Sequence, residues 1–309
     1  MKKSLYLSLF ILFFACSKSD TNELSRRSLE EILGVAGTAS PLGDDTFFFE
    51  DVDYGTGERQ QLDILLPRTS AIRGVVLFFH GGGFTAGDEA QAFDEFTEDI
   101  MQSLLDNKIA VVTANYSFLT TSGSEGVISA LEDGALALRF LENHLDDLGI
   151  PSNKIILAGV SAGAGIAQWN AFKPQRSEQI QAVVALAAQS TYDLYEWENV
   201  FPGFQLDPLR QMSPILQALF LQFYGGPPSQ ADLDAVDYRS FMDASDPALY
   251  VYNFAGDEVI DTNGSIDFDV LYHSYRHSDY LRAKAIAEEI PFSGIYQERP
   301  EDFVLRILD

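Results

Sequence analysis

The feature that most constrains the fold of this chain is the pentapeptide Gly159-Val160-Ser161-Ala162-Gly163, because of what lies on either side of it. The preceding residues, 154–158, are apolar and β-branched and predict a buried strand. The following residues, 164–170, are small and then compatible with a helix. A serine between a strand and a helix must adopt a strained backbone, and small flanking residues let the two elements approach. We therefore predict a tight turn that presents the Ser161 hydroxyl as a nucleophile. The alternative is a glycine-rich turn with a structural role only.

A second motif, His80-Gly81-Gly82-Gly83, follows another predicted buried strand, Gly74 to Phe79. Consecutive glycines leave backbone N–H groups uncovered, so these groups can point at a negatively charged oxygen. If Ser161 attacks an ester carbonyl, the N–H groups of Gly82, Gly83 and Ala162 are in place to hold the oxyanion. Alone, the glycines also fit a flexible loop, but together with the serine turn they favour an oxyanion site.

On these two motifs the chain resembles the α/β-hydrolase superfamily, in particular the esterases and lipases with an H-G-G-G oxyanion loop and a G-x-S-x-G nucleophile elbow. The resemblance implies an α/β fold with a doubly wound, mostly parallel eight-stranded sheet and a small helical cap insertion. It implies a serine carboxylic-ester hydrolase that forms a covalent acyl-enzyme. It also implies that His80 orients the oxyanion loop and is not the catalytic base.

The alternation of strand and helix patterns independently predicts a parallel, doubly wound sheet. Strands are expected over residues 46–54, 60–66, 74–79, 110–116, 154–160, 182–189, 249–254 and 292–297. Between the sixth and seventh strands, residues 191–247 are expected to form the cap, with a helix over 214–223. The aromatic residues of this segment have two alternative roles: lining a pocket for the substrate, or forming the cap's own small core. We expect the second role for most of them.

A serine nucleophile needs a base, and the base needs a carboxylate. The superfamily order, serine then acid then histidine, implies Asp257 after the seventh strand as the acid, with Asp261 as second choice. The histidine that usually follows the eighth strand is missing here. Of the four histidines in the chain, His273 is our candidate base and His277 its competitor. The equally weighted alternative is that both are ordinary residues at the entry to a helix.

The N-terminus predicts export. Met1-Lys2-Lys3 is basic, residues 5–14 are apolar but too few to span a bilayer, and Ala15-Cys16 follows, which is typical of a signal peptide. Its form resembles a bacterial lipoprotein signal and implies lipid attachment to Cys16; an ordinary signal peptide with an incidental cysteine is the alternative. We therefore expect a signal peptide over 1–15, a tether over 16–44 and a hydrolase domain over 45–309. The protein is expected in the cell envelope, anchored by lipid in the outer membrane or periplasm, or else secreted.

The net charge of −26 disfavours nucleic acids and anionic membranes as partners. It favours neutral or cationic small molecules, including carbohydrate esters. The lipid anchor on Cys16 is then the only contact with a membrane that we expect. No cofactor and no metal ligand pattern is expected. An esterase acting on a short-chain acyl ester is the first functional hypothesis. The second is a catalytically impaired, ligand-binding lipoprotein of the same fold, which the missing C-terminal histidine favours; a peptidase is the weakest.

Overall fold

The structure, a computed structural model, describes residues 25–69, 71–260 and 265–309. The predicted signal peptide and Cys16 lie outside the described residues, and so does Asp261. No helix in the described part of the chain is both long and apolar enough to cross a lipid bilayer.

Within the described residues, eight strands form one sheet in the order β1-β2-β4-β3-β5-β6-β7-β8. β1 and β2 pair antiparallel and β2 pairs antiparallel with β4, whereas all the other neighbours are parallel. The strands are β1 Thr46–Asp53, β2 Gln61–Pro67, β3 Gly74–Phe79, β4 Ile109–Ala114, β5 Ile155–Val160, β6 Ile180–Leu186, β7 Ala248–Tyr252 and β8 Phe292–Gly294. The predicted α/β fold with an eight-stranded, mostly parallel sheet is confirmed.

The central strands are buried because helices cover both faces of the sheet. Every residue of β3 and β4 is buried, which explains why these strands appear as continuous apolar runs rather than alternating ones. Register pairs Leu77 of β3 with Val112 of β4 and with Leu157 of β5, so the apolar side chains form layers across the sheet.

The helices that flank the sheet or extend from it are α1 Arg26–Leu33, α2 Glu98–Asp106, α3 Val127–His144, α4 Ala162–Phe172, α5 Trp197–Val200, α6 Leu206–Met212, α7 Pro214–Phe223, α8 Gln230–Val236, α9 Tyr238–Phe241, α10 Phe268–His273, α11 Tyr275–Ala287 and α12 Pro300–Leu308. Helices α5 to α9 all lie between β6 and β7, where the cap insertion is expected. They place a small helical layer beyond the carboxyl ends of the parallel strands.

The segment expected to be a tether packs on the domain over its described part. Leu29 of α1 is fully buried in the main hydrophobic core, and Thr38 forms a bridge with Phe48 of β1. The packed body of the protein therefore begins before residue 45.

Candidate active site

The turn around Ser161 has the geometry that a nucleophile elbow requires. Ser161 lies between β5 and α4 with φ 53° and ψ −116°, a region that is strained for any residue with a side chain. Its N–H donates to the carbonyl of Leu186 at 2.8 Å, which fixes the strained backbone to the next strand. A Cβ on Gly163 would collide with the carbonyl oxygen of Phe79, and one on Gly159 would collide with Gly163. The two glycines are therefore required by the close approach of α4 to the sheet.

His273 is the histidine that the structure brings to the serine. It is the last residue of α10, and its Nε2 lies 3.0 Å from Oγ of Ser161, within hydrogen-bond distance. The helix begins after Asp267, whose side chain accepts a hydrogen bond from the N–H of Val270. His273 reaches Ser161 from the loop region after β7, not from the end of β8.

The carboxylate beside the histidine is Asp269, which the sequence analysis did not identify. Its Oδ1 lies 2.8 Å from Nδ1 of His273. Four residues separate the two along α10, the spacing that places side chains on the same face of a helix. The aspartate side chain is 65% exposed and the histidine 21%, so the pair sits at the solvent edge of the site.

The structure does not bring Asp257, the expected acid, to His273. Its Oδ2 accepts from Nη2 of Arg276 at 2.7 Å and from the hydroxyl of Tyr275 at 3.1 Å. The hydrogen bonds from Arg276 and then Tyr275 hold the pKa of the Asp257 carboxyl below its usual range. Asp257 therefore pairs with the start of α11 in place of the histidine.

His277, the competing base, is fully buried and does not contact the serine. Its Nε2 donates to the carbonyl of Leu271 at 2.9 Å, and its Nδ1 accepts from the N–H of Ser190 at 3.2 Å. Burial lowers its pKa to about 4, so the ring is neutral and acts as a fixed hydrogen-bonding group.

The carboxyl end of α10 is held by a set of contacts that surrounds His273. Helix ends leave carbonyl groups without partners inside the helix. Here the carbonyls of the four consecutive residues 271–274 each accept a hydrogen bond from outside it. The donors, in that order, are His277, Gln189 at 2.8 Å, the N–H of Ala255 at 3.3 Å and Asn253 at 3.0 Å. These contacts fix the backbone that positions the imidazole.

The glycine loop lies against the serine turn as predicted for an oxyanion site. Gly82 and Gly83 have φ of 112° and 60°, and a Cβ on Gly82 would collide with Ala86. None of the backbone N–H groups of Gly82, Gly83 and Ala162 donates to another described residue. Gly83, Ala162 and Ser161 also line one cavity. Free donors beside the hydroxyl are the arrangement that stabilises a tetrahedral oxyanion.

His80 is buried behind this loop and away from the serine hydroxyl. Its Nδ1 lies 2.6 Å from the carbonyl of Gly81, its ring stacks on Tyr116 with centroids 4.4 Å apart, and Arg59 approaches its Nε2 at 3.4 Å. Burial lowers its pKa to about 4. The geometry fits a group that orients the loop, with Gly81 as its backbone partner.

The cavity above Ser161 has a volume of about 350 Å³ and is walled mostly by apolar side chains. The cap contributes five aromatic residues to its lining: Tyr192, Trp197, Phe204, Phe220 and Phe223. Several of these also pack in the cap's own core, so the two roles that the sequence left open are combined.

One cluster in the described residues has the composition of a metal site. Carboxylate oxygens of Asp51, Asp63 and Glu89 lie within 4.8 Å of one another. These residues are not part of the cavity lining. Burial raises the pKa of Asp63 to about 7 and also raises the pKa of Glu89, so ionisation of these two carboxyls costs more than at the protein surface.

The chain matches the model of the BD-FAE family over residues 62–270. The match spans more than half of the chain, includes the glycine loop and Ser161, and ends before His273.

Among curated proteins, the chain is 25% identical to "Juvenile hormone esterase" of Tribolium castaneum over 191 residues, which cover 58% of this chain and 29% of that protein. It is 28% identical to "Esterase LipI" of Mycobacterium tuberculosis over 155 residues, covering 49% of this chain and 45% of the relative. The chain thus spans less than half the length of these relatives.

Two solved structures share the fold. Esterase B from Lactobacillus rhamnosis superposes with a TM-score of 0.58 at 17% identity, covering 82% of this chain and 76% of the other. A truncated carbohydrate esterase from gut microbiota superposes with a TM-score of 0.63 at 15% identity, covering 88% and 99%.

Proposed function

The chain belongs to the BD-FAE family, whose α/β-hydrolase-type fold it shares, and from this premise we propose that it is a serine carboxylic-ester hydrolase. The observation that carries the proposal is the contact of 3.0 Å between Oγ of Ser161 and Nε2 of His273, beside the glycine loop. The ligand-binding alternative depended on the missing C-terminal histidine. His273 at hydrogen-bond distance favours the enzyme.

In the proposed reaction, Oγ of Ser161 attacks the ester carbonyl while its proton passes to Nε2 of His273. The carbonyl oxygen becomes an oxyanion and accepts hydrogen bonds from the N–H groups of Gly82, Gly83 and Ala162. The carbon–oxygen bond to the alcohol then breaks, and the proton on Nε2 goes to the departing oxygen. Water, deprotonated by the same nitrogen, attacks the acyl-enzyme and releases the acid and free Ser161.

We assign the third role to Asp269. A carboxylate that accepts from Nδ1–H keeps Nε2 free of its proton and stabilises the imidazolium that forms during each proton transfer. The contact of 2.8 Å supports this assignment, and the ion pair between Asp257 and Arg276 argues against the alternative.

The proposed substrate is a small-molecule or carbohydrate ester with a short acyl group. A short acyl group fills only part of a cavity of about 350 Å³, which leaves room for the rest of the ester. Hydrolysis of a short p-nitrophenyl ester, compared among the parent protein, Ser161→Ala and His273→Ala, tests the proposal. We expect activity to fall at least about 10³-fold in both variants. Turnover that survives Ser161→Ala would refute the serine mechanism.

We also propose the envelope location predicted from the N-terminus, with lipid on Cys16. The support is the basic start, the short apolar run and the small residue before the cysteine. Full-length protein expressed in a bacterium should incorporate labelled fatty acid, and the Cys16→Ser variant should not. Equal labelling of both proteins would rule out this anchor.

A further inference from the structure

Among the described residues that line the cavity above Ser161, one is charged, and its charge is positive. Arg210 of α6 lines the same cavity as the serine. The chain has 46 acidic and 20 basic residues, so a lone positive charge there is the opposite of what the composition favours. A charge next to apolar walls costs desolvation free energy unless a partner compensates it.

The guanidinium of Arg210 is held in one orientation by the cap. Its Nε donates to Oε1 of Gln217 at 3.0 Å, and its Nη1 donates to the hydroxyl of Tyr195 at 3.0 Å. Its Cζ lies 3.7 Å from the ring centroid of Phe220. Its side chain is only 17% exposed. A cation fixed on three sides loses little further rotamer freedom when it binds a ligand.

This arrangement leaves much of the guanidinium's donor capacity unused. Arginine carries five N–H donors, and the bonds to Gln217 and Tyr195 use two of them. Asp207 lies 3.6 Å from Nη1, beyond hydrogen-bond distance, and its side chain is 54% exposed, so solvent screens the attraction. Nη2 donates to no described residue. The free N–H groups of Nη1 and Nη2 form the fork that binds both oxygens of a carboxylate.

We infer that Arg210 is a specificity-determining residue that binds a carboxylate on the part of the ester that enters the cavity. The substrate class is an ester with an apolar body that also bears a carboxylate, either on its acid or on its alcohol. This inference rests on the proposed esterase function. It concerns only local recognition, since the net charge of −26 repels anions at longer range.

Matched substrate pairs separate the two positions of the carboxylate. For the acid side, the mono-p-nitrophenyl esters of adipate and suberate are compared with the hexanoate and octanoate esters. For the alcohol side, 4-acetoxybenzoate is compared with p-tolyl acetate. The measured quantity is the ratio of kcat/KM for the charged ester to that for the neutral ester in each pair, in the parent protein and in Arg210→Met.

Arg239→Met is the matched control. Arg239 also belongs to the cap and stacks on an aromatic ring, at 3.6 Å from the centroid of Tyr280, but it does not line the cavity. Both variants remove one positive charge, so any effect of net charge is the same in each.

In at least one substrate pair, we expect the charged-to-neutral ratio of kcat/KM to be about tenfold lower in Arg210→Met than in the parent protein, equivalent to ~1.4 kcal/mol. In Arg239→Met the same ratio should stay within about twofold of the parent value. The pair that responds identifies the side of the ester that carries the carboxylate. Equal ratios in Arg210→Met and Arg239→Met for both pairs, with the neutral esters still hydrolysed through Ser161, would overturn the inference and leave the esterase function intact.

If no ester is hydrolysed through Ser161, the proposed function fails, and calorimetry decides the inference separately. Suberate and 4-hydroxybenzoate are then titrated into the parent protein and Arg210→Met. Binding that is lost in the variant supports the Arg210 site. Binding that is equal in both proteins, or absent from both, refutes it.

Discussion

Replacing Asp269 by asparagine tests which carboxylate assists His273, the proposed base. Asparagine keeps the size of the side chain but removes its charge, and its amide can donate toward Nδ1 and favour the wrong tautomer of His273. A buried triad carboxylate is worth about 10⁴-fold in kcat. Asp269, however, is 65% exposed, so solvent screens its charge.

The expected magnitude follows from that exposure. Two unit charges about 4 Å apart interact by ~1 kcal/mol in water and ~4 kcal/mol near a protein surface. A carboxylate that is two-thirds exposed, but 2.8 Å from the imidazole, falls between these limits, at ~2–3 kcal/mol. Since ~1.4 kcal/mol is tenfold in rate, Asp269→Asn should lower kcat/KM about a hundredfold.

The assay is hydrolysis of a short p-nitrophenyl ester at neutral pH, with Asp257→Asn as the matched control. Asp257 makes a partly exposed ion pair with Arg276, so its replacement should leave stability nearly unchanged and change kcat/KM less than about twofold. Thermal unfolding of both variants checks that they are folded. A larger loss of activity in Asp257→Asn than in Asp269→Asn would show that our assignment of the acid is wrong.

Three further outcomes follow from the structure. Asn253→Ala removes the side-chain donor to the Ser274 carbonyl, which also accepts from the N–H of His277. The variant should lower kcat about tenfold with little change in KM, measured by steady-state kinetics. A change confined to KM would contradict a role in positioning His273. Because burial raises the pKa of Asp63 to about 7, the folded protein binds a proton that the unfolded chain releases above about pH 4. The parent protein should therefore lose unfolding free energy as pH rises from about 4 to 7, and the thermal midpoint of Asp63→Asn relative to the parent should rise over that window; a difference independent of pH would refute this. Gly163→Ala should fail to fold or lose several kcal/mol in chemical denaturation, roughly as for other overpacked sites, whereas Gly256→Ala, with nothing within 4 Å, should unfold like the parent.

The sheet could be predicted from sequence because its central strands are buried on both faces. A run such as Gly74–Phe79 is apolar at every position and lies between Arg73 and the glycines after His80, so both its type and its limits are visible. β8 was predicted through Gln297 but ends at Gly294, where the N–H of Gln297 turns back to the Gly294 carbonyl. The apolar pattern does not reveal this turn.

The serine turn and glycine loop were predicted because their residue types follow from local geometry. The acid was not. Asp257 occupies the position that the superfamily order implies. Only the structure shows that its carboxylate accepts a hydrogen bond from Arg276. The sequence signal for this contact is the spacing of Asp269 and His273, which are four residues apart. That spacing places them together only on a helix, and α10, with six residues, is too short to show a clear apolar period.

The choice between His273 and His277 depends on contacts far apart in sequence. His277 is enclosed by Trp197 and Phe201, whose ring centroids lie 5.0 and 5.1 Å from its own. Those residues belong to the cap, some 80 positions upstream on the printed sequence. A pattern within one segment does not reveal that enclosure, so the sequence alone supported only a preference for His273 over His277.

The placement of Asp269 and His273 on one turn of α10 has a consequence for ancestry. Two of the three proposed catalytic roles, those of the acid and the base, are encoded by a single stretch of five codons. One short insertion or recombination event can therefore transfer or delete both together. With His273 as the proposed base, the proposed chemistry does not require a histidine after the last strand. Homologous genes that lack this distal histidine should be searched for an aspartate four codons before a histidine, downstream of the seventh strand, before they are classified as pseudoenzymes.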